Sequence, residues 1–154
     1  MFLRKLLNNV DFTSIRGNEE INIHNINFNS KKINNNDLFI AIKGENFDGH
    51  IFIDDAILNG AIAIVVSELP AKLHKDKTYI IVKDTSLCLP CIAKNFYKNI
   101  SKDIQLIGVT GTNGKTSIVS LLYQLFTLMG ERSGMLSTVQ NKIGSLKIDS
   151  THTT

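Results

Sequence analysis

The fold is indicated most strongly by Gly108-Val109-Thr110-Gly111-Thr112-Asn113-Gly114-Lys115-Thr116-Ser117, a glycine-rich turn. An apolar run, residues 104–109, leads into it, and apolar side chains recur at helical spacing over the segment that follows, residues 116–129, which Gly130 closes. Strand, glycine turn and helix in this order are typical of α/β folds that bind phosphate. We therefore predict a buried strand at 104–109 and a mostly buried helix at 116–129.

The residue types in this turn favour phosphate as the ligand. Glycines let successive backbone N–H groups point at one anion, and the helix that follows adds the positive end of its dipole. In such a loop the Lys115 ammonium reaches the β and γ phosphates, and the Thr116 hydroxyl ligates Mg²⁺. The strict pattern has glycine where this chain has Val109. The alternative is a chance Gly-Lys-Thr in a surface turn, against which the flanking strand and helix argue.

The first hundred residues predict a separate α/β unit. Imperfect alternation at 21–28 and apolar runs at 37–42, 61–66 and 79–82 predict strands, the last two covered on both faces. A polar turn is expected at 31–36, and helices are expected at 51–59, ended by Gly60, and at 86–99. We place the domain boundary in the polar stretch 98–103, which gives domains at 1–102 and 103–154.

Composition excludes several classes of protein. The 154 residues are 43% hydrophobic and 20% charged, and the net charge of +3 comes from cations spread along the chain rather than from a basic block. A nucleic-acid partner is therefore not expected. The longest purely apolar run, 61–66, is far below the roughly 20 residues that span a membrane, and the N-terminus lacks the apolar core of a secretory signal. We expect a cytoplasmic protein with no membrane partner.

The two cysteines form a Cys-x-x-Cys motif, Cys88-Leu89-Pro90-Cys91. The motif invites a redox or metal interpretation, but one pair does not complete a tetrahedral zinc site and no histidine lies at ligand spacing from it. The segment fits the first turn of an amphipathic helix after Asp84-Thr85-Ser86. We interpret both cysteines as small hydrophobic residues of that helix.

The loop at 110–116, with Val109 before it, resembles the ATP loop of the Mur ligase superfamily, the ATP-dependent amide-forming ligases of peptidoglycan precursor synthesis. Asn29-Ser30-Lys31, the segment 37–44 and Asp48-Gly49-His50 resemble the signature of the family's N-terminal domain, which holds the UDP part of the substrate. The family usually has Asp and Arg where this chain has Asn29 and Lys31, so an ion pair there is weakened or lost. A plain β-hairpin is the structural alternative for this region.

The resemblance implies an α/β fold in which a small N-terminal UDP-substrate-binding domain precedes the start of a P-loop central ATPase domain. It implies ATP and Mg²⁺ as cofactors, Lys115 as catalytic residue and Thr116 as Mg²⁺ ligand. The implied ATP-binding residues are Gly111, Thr112, Asn113, Gly114, Lys115, Thr116 and Ser117. The implied substrate-binding residues are Phe28, Ser30, Glu45, Asn46, Phe47, His152, Thr153 and Thr154.

Residues 130–154 resemble the branch of the family that adds the third amino acid, diaminopimelate or lysine, to UDP-N-acetylmuramoyl-L-alanyl-D-glutamate. In the family's reaction ATP phosphorylates a carboxylate, and the incoming amine displaces the phosphate. The alternatives are the branch that adds D-alanyl-D-alanine and a noncatalytic UDP-sugar-binding fragment. Because family members continue beyond the position of Thr154, we expect an N-terminal piece that is inactive alone and leaves much of the helix at 116–129 exposed, and a full-length monomer.

Overall fold

The first compact unit, residues 1–104, is built on a five-stranded sheet. The computed structural model describes residues 1–44 and 47–149 of the chain. The strands are β1 (Ser14–Arg16), β2 (Ile26–Asn27), β3 (Asp37–Ile40), β4 (Ala61–Val66) and β5 (Thr78–Ile81), in the order β1-β5-β4-β3-β2. The four strands β2 to β5 are parallel to one another, and β1 is antiparallel to β5. The strands predicted at 37–42, 61–66 and 79–82 are confirmed.

Helices pack on both faces of this sheet. Side chains of α1 (Leu3–Leu6) and α3 (Thr85–Phe96) share one hydrophobic cluster with Leu38 and Ile40 of β3. Side chains of α2 (Ile53–Leu58) share a second cluster with Phe39. Every residue of β3 is buried, because successive side chains point to opposite faces and both faces are covered. The unit is a three-layer α/β structure, which confirms the predicted fold class.

Helix ends follow the local sequence. Asp84 caps α3, where its Oδ1 accepts hydrogen bonds from the N–H groups of Ser86 (2.7 Å) and Leu87 (3.2 Å). Gly60 follows α2 with a φ of 112°, and Gly130 follows α4 (Lys115–Leu128) with a φ of 84°. These left-handed conformations are costly for residues with a Cβ. The helix stops predicted at both glycines are confirmed.

The second unit, residues 105–154, contains α4 and a small antiparallel sheet. Its strands β6 (Gly134–Met135), β7 (Gln140–Ile143) and β8 (Leu146–Asp149) pair in sequence order. Tyr123 of α4 donates a hydrogen bond from its hydroxyl to the Gly144 carbonyl, 2.8 Å away. The Lys142 ammonium lies 5.7 Å from the centre of the Tyr123 ring. These contacts attach the helix to the β7-β8 hairpin, which the sequence analysis did not predict.

The strand predicted at 104–109 is wrong for this structure. Residues 105–109 have no regular secondary structure, and Leu106 is 88% exposed. A strand exists only where a neighbour accepts and donates its backbone hydrogen bonds, and among the described residues none pairs with this segment. The helix α4 is not mostly buried either, because Leu121 and Leu128 are 64% and 86% exposed. The expectation of an exposed helix surface in a chain of this length is met.

One prediction in the first unit needs a smaller correction. The strand predicted at 21–28 is reduced to Ile26–Asn27, with Asn22 forming only an isolated bridge to Phe2. Residues 23 and 24 bond instead to distant parts of the chain, since the Ile23 N–H donates to the Met1 carbonyl and the His24 N–H donates to the Asn36 carbonyl. The polar turn predicted at 31–36 is confirmed, because the 3₁₀ helix Ser30–Lys32 and a turn at 35–36 occupy this segment.

Candidate functional site

The glycine-rich loop precedes α4 and leaves its backbone donors free. Gly111 has a φ of 150°, and Gly114, the N-terminal cap of α4, has a φ of 77°. A Cβ at Gly114 would meet no atom within 4 Å, so the backbone conformation is what favours glycine there. Within residues 1–44 and 47–149, no protein acceptor takes a hydrogen bond from any backbone N–H of residues 111–117. These donors fit a phosphate group.

The Lys115 side chain folds back over this loop. Its Nζ donates to the carbonyl oxygen of Gly111 at 2.5 Å and to that of Thr112 at 3.3 Å. The ammonium is therefore held at the loop, where an anion bound by the N–H groups would contact it. Thr116, in the first turn of α4, is half-buried. The loop brings together all seven residues predicted to bind nucleotide phosphate, although the strand expected before it does not form.

A second candidate site lies at the carboxyl edge of the five-stranded sheet. The parallel strands β2 to β5 all end at this edge, where open α/β sheets bind their ligands. Phe28 and Ser30 follow β2, and Phe47 follows β3. Phe28 and Phe47 are 51% and 75% exposed, whereas Ser30 is buried. Glu45, Asn46, His152, Thr153 and Thr154 lie outside the described residues.

The turn that carries Ser30 is held by side-chain amides. The Asn29 Oδ1 accepts a hydrogen bond from the Lys31 N–H at 3.0 Å, as an aspartate would in its place. The Ser30 carbonyl accepts from the Asn59 Nδ2 at 3.0 Å, which connects the turn to the end of α2. The departure from the family's Asp at position 29 therefore leaves the backbone capping intact.

Hydrogen bonds join residues 42–44 to residues 47–49, and these described residues are the base of the 42–49 loop. The Gly49 N–H donates to the Ile42 carbonyl at 2.8 Å, and Lys43 and Asp48 form an isolated antiparallel bridge. The Gly44 N–H donates to the Phe47 carbonyl at 2.9 Å. A Cβ at Gly49 would lie 2.7 Å from the backbone N and O of Ile42, so only glycine allows this approach. The plain β-hairpin considered as the alternative for this region is wrong, because β2 and β3 pair in parallel and the Lys43–Asp48 contact is only an isolated bridge.

Three side chains connect this loop to the end of β4. The Asp48 Oδ1 accepts from the His50 N–H at 2.9 Å and lies 2.6 Å from the His50 Nδ1. The Ser67 N–H donates to the His50 Nε2 at 3.0 Å, and the Ser67 Oγ lies 3.2 Å from the same nitrogen. His50 therefore carries its proton on Nδ1. Hydrogen bonds from its backbone N–H and its ring lower the pKa of the Asp48 carboxyl below its usual value of 3.8.

The loop is also attached to α3. The Lys43 N–H donates to the Oγ1 of Thr85, a buried residue in the first turn of that helix, at 3.2 Å. Lys43, Asp48, His50 and Ser67 border a cavity of about 160 Å³ at this edge. The sequence analysis missed Ser67 and Thr85. A polar residue placed directly after the buried strand predicted at 61–66 was the available signal for Ser67. Thr85 lies three residues beyond the strand predicted at 79–82, in the first turn of α3, where this signal does not apply.

The cysteines occupy different environments. Cys88 is buried and its Sγ lies 3.2 Å from the Thr85 carbonyl, whereas Cys91 is exposed. Burial, followed by the charge of Asp84, raises the pKa of the Cys88 thiol to about 11. The interpretation as a small hydrophobic residue therefore holds for Cys88 alone. Across the described ranges, His, Cys, Asp and Glu side chains form no group of three that could hold a metal ion.

Two family models match the chain. A family model described as the Mur ligase family catalytic domain matches residues 22–97, and the Mur ligase middle domain matches residues 109–154. The chain belongs to the Mur ligase family of ligases. No helix in the part of the chain that the structure describes is long and apolar enough to cross a membrane.

The relatives of the chain include ligases from two bacteria. It is 44% identical to the UDP-N-acetylmuramoyl-L-alanyl-D-glutamate–2,6-diaminopimelate ligase of Cytophaga hutchinsonii and 38% identical to that of Clostridium perfringens. Each alignment covers the whole chain and 32% of the relative, so the chain spans about a third of these proteins.

The solved structures that resemble the chain include those of two ligases. The MurF ligase of Thermotoga maritima in complex with ADP has a TM-score of 0.54 at 35% identity, covering 68% of this chain and 23% of that one. A 2,6-diaminopimelate ligase structure has a TM-score of 0.66 over 95% of this chain and 29% of that one. Its identity is 17%, so this likeness concerns the fold alone.

Proposed function

We propose that the chain provides the UDP-substrate-binding domain, residues 1–102, and the nucleotide phosphate loop, within residues 103–154, of an ATP-dependent ligase. This ligase adds diaminopimelate to UDP-N-acetylmuramoyl-L-alanyl-D-glutamate in peptidoglycan synthesis. The observation that carries the proposal is the loop at 111–117, whose backbone N–H groups have no acceptor among the described residues and over which the Lys115 ammonium is held. The names of the relatives favour diaminopimelate over lysine and over the dipeptide-adding reaction.

The reaction requires a group that activates a carboxylate, because a carboxylate resists attack by an amine. ATP supplies a phosphoryl group that makes the carboxylate oxygen a leaving group. In the proposal the N–H groups of 111–117 orient the phosphates, and the Lys115 ammonium stabilises charge on the β and γ phosphates. The Thr116 hydroxyl would hold Mg²⁺ together with phosphate oxygens.

The UDP end of the substrate is proposed to bind at the carboxyl edge of the five-stranded sheet. Phe28 and Phe47 are exposed there, beside the segments that carry Ser30 and Lys43. An exposed aromatic ring offers a face on which a pyrimidine can stack. Glu45, Asn46, His152, Thr153 and Thr154 complete the proposed set of substrate contacts.

A chimeric enzyme tests this proposal. Residues 1–154 would replace the matching third of the Cytophaga hutchinsonii ligase, and product would be measured by mass spectrometry with ATP, diaminopimelate and the UDP-dipeptide substrate. We expect ligation by the chimera and a loss of at least about 100-fold for Lys115→Ala, which removes a charged donor from the phosphates. Lys147→Ala, on the exposed strand β8, is the matched control and should keep full activity. Near-normal ligation by Lys115→Ala would refute the proposal.

A further inference from the structure

His50 belongs to neither set of proposed contacts, yet it joins two segments at the carboxyl edge of the sheet. It follows the 42–49 loop and contacts Asp48 at the base of that loop through both its backbone N–H and its Nδ1. Its Nε2 accepts the N–H of Ser67, which directly follows β4 and is 17 residues away in the chain. The imidazole therefore connects the loop to the central strand of the sheet.

We propose that His50 is a positioning residue for nucleotide binding, because it fixes the base of the 42–49 loop to the end of β4 through Asp48 and Ser67. This inference rests on the proposed function, in which the same loop carries contacts to the UDP end of the substrate. Its mechanism is preorganisation: a loop held before the ligand arrives loses less conformational freedom on binding.

The surroundings support a positioning role rather than a chemical one. Aspartate, histidine and serine in a row are the residue types of a nucleophilic triad. In this site, however, the single lone pair of the His50 Nε2 already accepts the Ser67 backbone N–H at 3.0 Å. The ring therefore has no free acceptor with which to take the hydroxyl proton of Ser67. The His50 ring instead connects the backbone at the base of the loop to the backbone of Ser67.

Two further observations show that the base of the loop is held in one conformation. The Lys43 N–H is bound by the Oγ1 of buried Thr85, so the same loop is attached to α3 as well as to β4. The Cβ that any other residue would add at Gly49 is excluded by the backbone of Ile42. Among the described residues, His50 makes the only side-chain hydrogen bonds between the base of this loop and the end of β4.

Two substitutions of His50 distinguish its hydrogen bond with Asp48 from its hydrogen bond with Ser67. In His50→Asn the side-chain amide lies near the position of Nδ1, so it can still donate to Asp48 but cannot reach Ser67. In His50→Gln the amide oxygen lies near the position of Nε2, so it can still accept from the Ser67 N–H. His24→Ala, an exposed histidine of the same unit, is the matched control.

The first measurement is amide hydrogen exchange on the 154-residue chain. The Ser67 amide should be protected in the wild type, in His24→Ala and in His50→Gln, and should lose that protection at least about tenfold in His50→Asn. Protection of the buried Val65 and Ile80 amides verifies that each variant is folded. Equal Ser67 protection in all variants would overturn the proposal.

The second measurement is the affinity for UDP-N-acetylmuramoyl-L-alanyl-D-glutamate by calorimetry. We expect His50→Asn to weaken binding about tenfold and His50→Gln to weaken it less. If the wild type binds and His50→Asn binds equally well, the inference about His50 fails while the proposed function stands. If the wild type shows no binding, the proposed function of this edge fails.

Discussion

Replacing Gly49 by alanine should destabilise the first unit through a clash with backbone. The added Cβ would lie 2.7 Å from the N and the O of Ile42 and 3.0 Å from the carbonyl carbon of Ala41. Ordinary contact begins at 3.4 Å, so the two segments would have to separate by about 0.7 Å. Ala41 and Ile42 cannot yield freely, because the Ala41 N–H is bonded to the Val65 carbonyl at 2.9 Å.

The cost should be about 2 kcal/mol, in the range for overpacking a site with no free space. For a unit of this size it corresponds to a fall in Tm of about 10 °C. Urea unfolding followed by circular dichroism measures it, and Gly44→Ala is the control from the same loop. Its Cβ would meet only the Phe47 carbonyl oxygen, at 3.3 Å, so its effect should be clearly smaller. A Gly49→Ala variant within about 0.5 kcal/mol of wild type would refute the reasoning.

Three other predictions concern side chains of the first unit. Asp84→Ala removes the acceptor for two N–H groups of α3 and should cost about 1 kcal/mol in urea unfolding; no loss would contradict the cap. The pKa of Asp48 is lowered on folding, so its stabilisation is present above pH 4 and lost as the pH falls through the lowered value. The stability difference between wild type and Asp48→Asn should therefore shrink below about pH 4, and a constant difference would argue against it. Iodoacetamide at pH 8 should label Cys91 well before Cys88, whose thiol has a pKa of about 11, as mass spectrometry of peptides would show.

Several features of this protein could be predicted from the sequence because short-range chemistry determines them. The glycines at 60 and 130 end helices since a left-handed residue is needed there, and Asp84 begins α3 since its carboxylate satisfies free N–H groups. The runs at 37–42 and 61–66 are apolar on both faces, which indicates strands covered on both sides. The position of the Lys115 ammonium likewise depends on nearby residues, since it donates to the carbonyls of Gly111 and Thr112.

Other features depend on which distant residues meet, and only the tertiary structure decided them. Residues 104–109 have the composition of a buried strand, but strand formation requires a pairing neighbour, and none is present among the described residues. The apolar residues of α4 predict a helix correctly, while their exposure depends on what packs against them. The contact between His50 and Ser67 joins two loops that follow different strands. Sequence spacing does not specify that meeting, because parallel strand order and register bring the two loops to the same edge.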